Sequence, residues 1–140
     1  MKLDRGVILV IVVPLVGIAA LIYKFAHPPW TPLRIAGLIL MTAAVTLLTV
    51  ARVQLGNSFS LTPQAKQLVT QGIYSRIRNP IYVFGTFTIA GLFLFLERPY
   101  LLSLLVPVLI LQIIRARAEG RVLEEHFGDE YRHYKASTWF

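Results

Sequence analysis

Four long apolar blocks, with charge confined to their ends, constrain this chain more than any other feature. They are Gly6–Phe25, Leu33–Ala51, Ile81–Leu96 and Tyr100–Ile114. A helix on the surface of a soluble protein gathers its apolar residues on one stripe, whereas these blocks are apolar all round. The first holds about 20 residues, and a rise of about 1.5 Å per residue matches a hydrocarbon core of about 30 Å. Charged residues make up 15% of the chain, against about 25% in an ordinary soluble domain. Both facts point to lipid as the solvent.

The breaks between blocks are chemical. Lys2 and Arg5 precede the first block, as in a secretory leader. The block is long for a leader and no small-x-small cleavage site follows, so a retained helix is expected, kinked at Pro14. His27-Pro28-Pro29-Trp30-Thr31-Pro32 ends it, because successive prolines remove donors and clash with helical geometry. Gly37, Ala43 and Ala44 give the second block a small face suited to close helix packing. Arg52 to Asn79 is polar, with turn residues at Gly56, Asn57, Ser58 and Pro63 and a short helical or extended piece over Lys66 to Thr70. The third and fourth blocks are marginal spans, separated by the tight turn Glu97-Arg98-Pro99. The tail from Arg115 is charged and aromatic, with Gly128 as a helix C-cap and a further helical turn around Glu130 to Tyr134.

The expected architecture is all-α, one integral membrane domain over 1–140 built as a bundle of four transmembrane helices. Two plain spans occupy 1–52, a cytosolic loop 53–79, a helical hairpin 80–114, and a C-terminal cytosolic amphipathic helix 115–140. Eleven of the fourteen lysines and arginines fall on the side of both termini and the long loop. Positive charge stays inside, so that side is expected to be cytoplasmic and the protein multi-pass in the inner (plasma) membrane. The net charge of +7 would suggest nucleic acid for a soluble chain. Here the bases flank apolar blocks, so the lipid bilayer is the expected partner and nucleic acid is not. Without cysteine, disulfides and thiol nucleophiles are excluded, and His126 and His133 have no partner that suggests a metal.

Two distant segments converge under this topology. The hairpin returns Arg115 close to Asn79-Pro80, so the end of the loop and the start of the tail share one polar cluster. Each piece has a plain reading. Asn79-Pro80 makes a good helix start. Arg76 and Arg78 suit a membrane surface, Arg115 and Glu119 are spaced for an ion pair, and Glu124 and Glu125 suit a solvated face.

Taken together, Leu68-Val69-Thr70, Gly72-Ile73-Tyr74, Arg78-Asn79-Pro80-Ile81-Tyr82, Arg115, Glu119, Leu123, Phe127-Gly128, Tyr131 and Tyr134 carry a more specific signal. In order and spacing this stretch resembles the superfamily of isoprenylcysteine carboxyl methyltransferases and phospholipid N-methyltransferases. The resemblance covers roughly the C-terminal half, and the first two helices carry no diagnostic residue. It implies S-adenosylmethionine as methyl donor, bound at the cytosolic face without a metal. On that implication Arg78, Asn79, Arg115 and Glu119 are the catalytic set. Arg78 and Asn79 serve the cofactor carboxylate, Glu119 its amine or ribose, and Arg115 the cofactor or the acceptor. Leu68, Val69, Gly72, Tyr74, Pro80 and Tyr82 complete the cofactor site. Asn79 stands where the superfamily carries a histidine, and Gly120 where a second glutamate often follows the first.

The acceptor implied is a lipid or lipophilic small molecule entering from the bilayer, with a headgroup amine and a carboxylate both open. The residues lean to a carboxylate, because no clear base is present for an amine. Two other classes stand beside this one: a non-catalytic membrane scaffold of the same fold, and a nicotinamide-dependent membrane reductase, although no G-x-G-x-x-G loop is present.

Overall fold

The computed structural model describes residues 5–25, 29–56 and 68–140. Lys2, His27-Pro28, the turn residues Asn57, Ser58 and Pro63, and Lys66 lie outside them. The described residues form five α-helices: α1 (Arg5–Lys24), α2 (Pro32–Leu55), α3 (Pro80–Phe95), α4 (Leu105–Phe127) and α5 (Asp129–Ser137). Short 3-10 segments at Gly72–Ser75 and Pro99–Leu104 precede α3 and α4. The protein is membrane-associated, and its described residues are all-helical, with two helices among them long and apolar enough to cross a bilayer, Pro32–Leu55 and Pro99–Phe127. Val12–Lys24 and Pro80–Phe95 are shorter apolar helices.

Local chemistry sets the helix ends. The Thr31 hydroxyl caps α2 by accepting from the Arg34 N–H at 3.2 Å, and Pro32 occupies the first turn. Gly56, at φ 52°, ends α2 with its N–H on the carbonyls of Arg52 and Val53. Gly128, at φ 54°, ends α4 with its N–H on Glu124, and α5 starts at once with Asp129 and Glu130 in its first turn. Acidic residues there complement the partial positive charge of a helix N-terminus. No break separates the apolar and charged parts of α4. The helix runs on through Arg115, because charge changes the preferred solvent of a helix and leaves its backbone bonding intact.

The core is the antiparallel contact of α2 with α3. A Cβ at Gly37 would lie 2.2 Å from the Phe95 backbone nitrogen and 2.7 Å from the Gly91 carbonyl oxygen. One at Gly91 would lie 2.6 Å from the Met41 nitrogen. The two backbones therefore touch, and Met41, Ala44, Val45 and Ala51 pack around the crossing. Ala43, expected on the same small face, is exposed instead.

At one end of this pair Arg34 is buried rather than free in the headgroups. It reaches Glu97 at 2.7 Å, the Phe95 carbonyl at 3.3 Å and the Pro29 carbonyl at 3.1 Å, beneath the rings of Phe25 and Phe95. The Thr31 hydroxyl donates to the other oxygen of Glu97. The short Glu97-Arg98-Pro99 connection thus turns around a satisfied ion pair.

α4 differs from α2 and α3. Val106, Leu109, Ile110, Leu111, Ile113 and Ile114 are all exposed. Its ties to α3 are polar: Tyr82 to Glu119, and Thr86 to Gln112 at 3.0 Å. A long apolar helix uncovered by its own chain is stable where lipid covers it.

The glycine contact is directly testable. Gly37→Ala and Gly91→Ala should each destabilise the detergent-extracted protein by about 1–3 kcal/mol, the usual cost of overpacking. Gly85→Ala, with nothing within 4 Å of its added carbon, should lose nothing. Thermal or denaturant unfolding of the three variants reads the difference.

Candidate functional site

The site is built where the start of α3 meets the charged half of α4. Pro80 is buried in the first turn of α3, with Asn79 in the N-cap position. The Asn79 side chain makes no capping bond, so its amide does not do the job that its position suggests. The backbone beside it is held by the last residues of the chain. Trp139 N–H donates to Arg76 O at 3.1 Å, Arg78 N–H to Trp139 O at 3.1 Å, and Asn79 N–H to Phe140 O at 2.8 Å. Ile77 and Trp139 form a parallel bridge. These bonds fix the direction in which Arg78 and Asn79 leave the backbone.

Across from them, Glu119 of α4 accepts a 2.5 Å hydrogen bond from the Tyr82 hydroxyl. This bond brings the polar ends of α3 and α4 to one side of the molecule. Arg115, one turn before Glu119 and exposed, lies within reach of the Tyr82 phenol.

Tyr74 approaches from a third direction. The 3-10 turn Gly72–Ser75 sits on the end of α2, where the Ile73 N–H donates to Gln54 Oε1 at 2.8 Å. Gly72, at φ 62°, has the Gln54 amide where a Cβ would stand, 2.4 Å away, so both conformation and space demand glycine there. Tyr74 is only 5% exposed, and its hydroxyl has no hydrogen-bond partner among the described residues. Burial first, and then the nearby Tyr134, push its phenol above the usual range, while Arg52 opposes them and Glu119 adds to them. An unpaired buried hydroxyl is costly and needs an explanation.

α5 closes the site from below. The Tyr134 hydroxyl donates to the Tyr74 carbonyl at 2.7 Å. The Tyr131 hydroxyl lies over Gly120, 2.9 Å from where a Cβ would stand. The glycine thus makes room for a tyrosine of α5, and a glutamate at that place would displace it.

Between α4, α5 and the Arg78-Asn79 turn lies a cavity of about 730 Å³. It is lined by Arg78, Asn79, Phe140, Tyr131 and Lys135, and by a face of α4 from Ile113 to Glu124. That size is within the range of small-molecule sites. Of the residues expected from sequence, Arg78 and Asn79 line this cavity. Glu119, Arg115, Tyr82 and Tyr74 do not line it, since 115 and 119 lie on the face of α4 turned towards Tyr82 of α3. Pro80 is buried, and Leu68 and Val69 are half-buried ahead of the 3-10 turn. Sequence reasoning passed over Arg117, Arg121, Lys135 and Phe140. The α4 residues were accessible through helical spacing, since 113, 116, 117, 120, 121 and 124 share a face. The pairing of Trp139 and Phe140 with the loop had no signal in a periodicity.

Burial pushes the Tyr134 phenol up to about 12 from an ordinary 10.0, with Tyr131 adding and Arg78 opposing. Between those values the unfolded chain loses a proton that the folded chain keeps, so stability present below pH 10 should decline as pH rises towards 12. Tyr134→Phe should make that decline shallower, leaving the part due to the raised phenols of Tyr74, Tyr82 and Tyr131, and cost about 1 kcal/mol at neutral pH by leaving the Tyr74 carbonyl unpaired. Unfolding curves of both proteins against pH check this.

Compared with known families, residues 31–130 match the model of the phospholipid methyltransferase (PEMT) family. No curated protein and no solved structure matches.

Proposed function

This chain belongs to the phospholipid methyltransferase family, and from that premise we propose that it transfers a methyl group from S-adenosylmethionine to a membrane-resident acceptor at the cytoplasmic face. The observation that carries the reading is the 2.5 Å Tyr82–Glu119 bond. It ties the Glu119 carboxylate of one segment to the first turn of α3, next to Arg78 and Asn79 of the other.

The residues present fit the cofactor. A carboxylate is served by the Arg78 guanidinium, as a charge-assisted donor, and by the Asn79 amide, which makes no capping bond. An ammonium or ribose hydroxyl is served by Glu119. The buried Tyr74 hydroxyl, unpaired among the described residues, gains a partner from any polar group placed beside Glu119. Bound S-adenosylmethionine supplies an electrophilic methyl group on a sulfonium.

What this chain contributes is position. Tyr82 and Glu119 hold α3 and α4 at a fixed separation, and the Trp139–Phe140 pairing holds Arg78 and Asn79. Methyl transfer is a displacement, so alignment of donor and acceptor accounts for much of the rate. Arg115 is placed to meet an anionic part of cofactor or acceptor. The acceptor, a headgroup amine or a lipid carboxylate, enters along the exposed apolar face of α4. In the membrane, α1 to α4 form a multi-pass bundle with both termini in the cytoplasm of the plasma membrane. The exposed flanks of α4 and the distribution of basic residues support that arrangement.

Incubating the purified protein with radiolabelled methyl donor and a total lipid extract should give a labelled lipid. Arg78→Ala and Glu119→Ala should each weaken S-adenosylmethionine binding by about tenfold, the cost of one charge-assisted hydrogen bond, while the protein elutes as folded. Normal cofactor binding by both variants, or a calorimetric silence of the parent protein, would refute this reading. Asn79→His should leave turnover unchanged if Asn79 acts as a hydrogen-bond donor.

A further inference from the structure

α3 carries no charge but is short. Its 16 residues span about 24 Å, about 6 Å less than a hydrocarbon core of about 30 Å. With α3 embedded in the membrane, that deficit is met at its two ends, where flanking residues are drawn to the interface. At the Glu97 end the chain turns around the buried Arg34–Glu97 pair, under the rings of Phe25 and Phe95. At the Pro80 end the flanking residue is apolar. Ile77 stands three residues ahead of the helix, at most about 11 Å from it, and the parallel bridge sets Trp139 beside Ile77. That distance falls within the headgroup region, which adds about 5–8 Å on each face of the core.

The side chains and the backbone of this strap have opposite needs. Trp139 is 58% exposed and Ile77 is half-buried. The Trp139 indole N–H has no hydrogen-bond partner among the described residues, and Arg76 beside it is exposed and makes no ion pair among them. A large ring with an unspent donor, next to a guanidinium, suits a boundary that is apolar on one side and wet on the other. The backbone, by contrast, is engaged. Trp139 donates to the Arg76 carbonyl and accepts from the Arg78 N–H, while the Phe140 carbonyl accepts from the Asn79 N–H. The strap lies beyond the last residue of α5. A few backbone bonds beside an uncovered ring are a weak hold, of the kind that opens locally. A surface that covers the ring strengthens that hold.

We propose that Trp139 is an interfacial anchor: its indole seats in the membrane–water interface beside Ile77, and this contact keeps the strap paired with residues 76–79 and so keeps Arg78 and Asn79 aimed. Trp139 is thus a positioning residue that acts through the backbone of two others. The occupant of this surface is the bilayer, because the ring stands one short segment from an uncharged helix and carries the residue chemistry of a membrane interface. The step from aimed residues to a held cofactor rests on the methyl-transfer reading, whereas the anchor itself needs only that α3 lies in the membrane.

The test uses the full chain in phosphatidylcholine nanodiscs. Trp30 and Trp139 are the two tryptophans of the sequence, so W30F lets the emission of Trp139 be read alone. That emission should be quenched by lipids brominated near the top of their chains more than by lipids brominated near the chain ends, and shielded from aqueous iodide. Quenching by iodide with no effect of brominated lipid overturns the anchor, by assigning the ring to water or to a protein partner. Hydrogen exchange at the Arg78 and Asn79 amides reads the strap. In W139S, which removes the ring and no backbone bond, these amides should exchange at least about tenfold faster than in the parent, and in W139Y at the parent's rate. Parental exchange in W139S overturns the proposal, and so does acceleration spread equally over α2 and α3, which marks a general loss of structure. W139S should also bind S-adenosylmethionine several-fold more weakly, with W139Y restoring the parent's affinity. Faster exchange in W139S with unchanged cofactor affinity overturns the link from anchor to site. A parent protein whose Trp139 is quenched as expected but which binds no S-adenosylmethionine supports the anchor and refutes the methyl-transfer reading, so the two failures are distinguishable.

Discussion

Contact between the backbones of α2 and α3, at Gly37 and Gly91, decides where everything else in this protein stands. Two helices approach this closely only where both lack side chains at the crossing, and lipid provides no competing hydrophobic drive to separate them. Once α3 is held against α2, its first turn is carried to the level of Arg52 and Gln54. The 3-10 turn that precedes it then docks on the end of α2 through Gln54. Tyr74 is buried by that docking, and Tyr134 of α5 in turn bonds its carbonyl. A chain of contacts thus leads from a glycine pair deep in the apolar layer to the polar cluster at its edge.

The looseness of α4 follows from the same arrangement. With α3 committed to α2, α4 meets α3 through Thr86–Gln112 and Tyr82–Glu119. Such bonds between membrane helices are individually modest, averaging about 0.6 kcal/mol where measured. They set register without closing the space. Tight packing on one flank of α3 and sparse polar ties on the other give a rigid wall and an open side. On the methyl-transfer reading, a site that admits its acceptor laterally from the bilayer needs both.

Charge is distributed with the same asymmetry. At the Glu97 end, Arg34 is surrounded by acceptors and ring faces, which offset its burial. Losing one member of a buried pair costs about 3–5 kcal/mol, because the other is left uncompensated. That cluster therefore belongs to stability. At the Arg78 end the cations outnumber their carboxylates, and their heads remain accessible.

The helical layout was legible because apolar blocks and proline turns act locally. Thr31-Pro32 and Gly128 end or start helices wherever they occur, and both did so here. What depended on neighbours was hidden. Arg34 and Arg52 look like flanking charges in a linear reading, yet both are buried, Arg34 against Glu97 and the Phe95 and Pro29 carbonyls and Arg52 with a bond to the Gly56 carbonyl at the end of its own helix. Gly120 reads as a helix-weakening loss of a glutamate until Tyr131 is seen to need its space. Asn79 shows the same limit in the functional cluster. Its sequence position suggests a cap, and its resemblance suggests a replaced histidine. The structure gives its backbone N–H to Phe140 and leaves its amide without a capping role. An amide carries a donor and an acceptor but does not titrate near neutral pH. On the methyl-transfer reading, Asn79 can therefore hold a carboxylate but cannot move a proton. An acceptor must then reach the site already deprotonated, or pass its proton to a group other than Asn79.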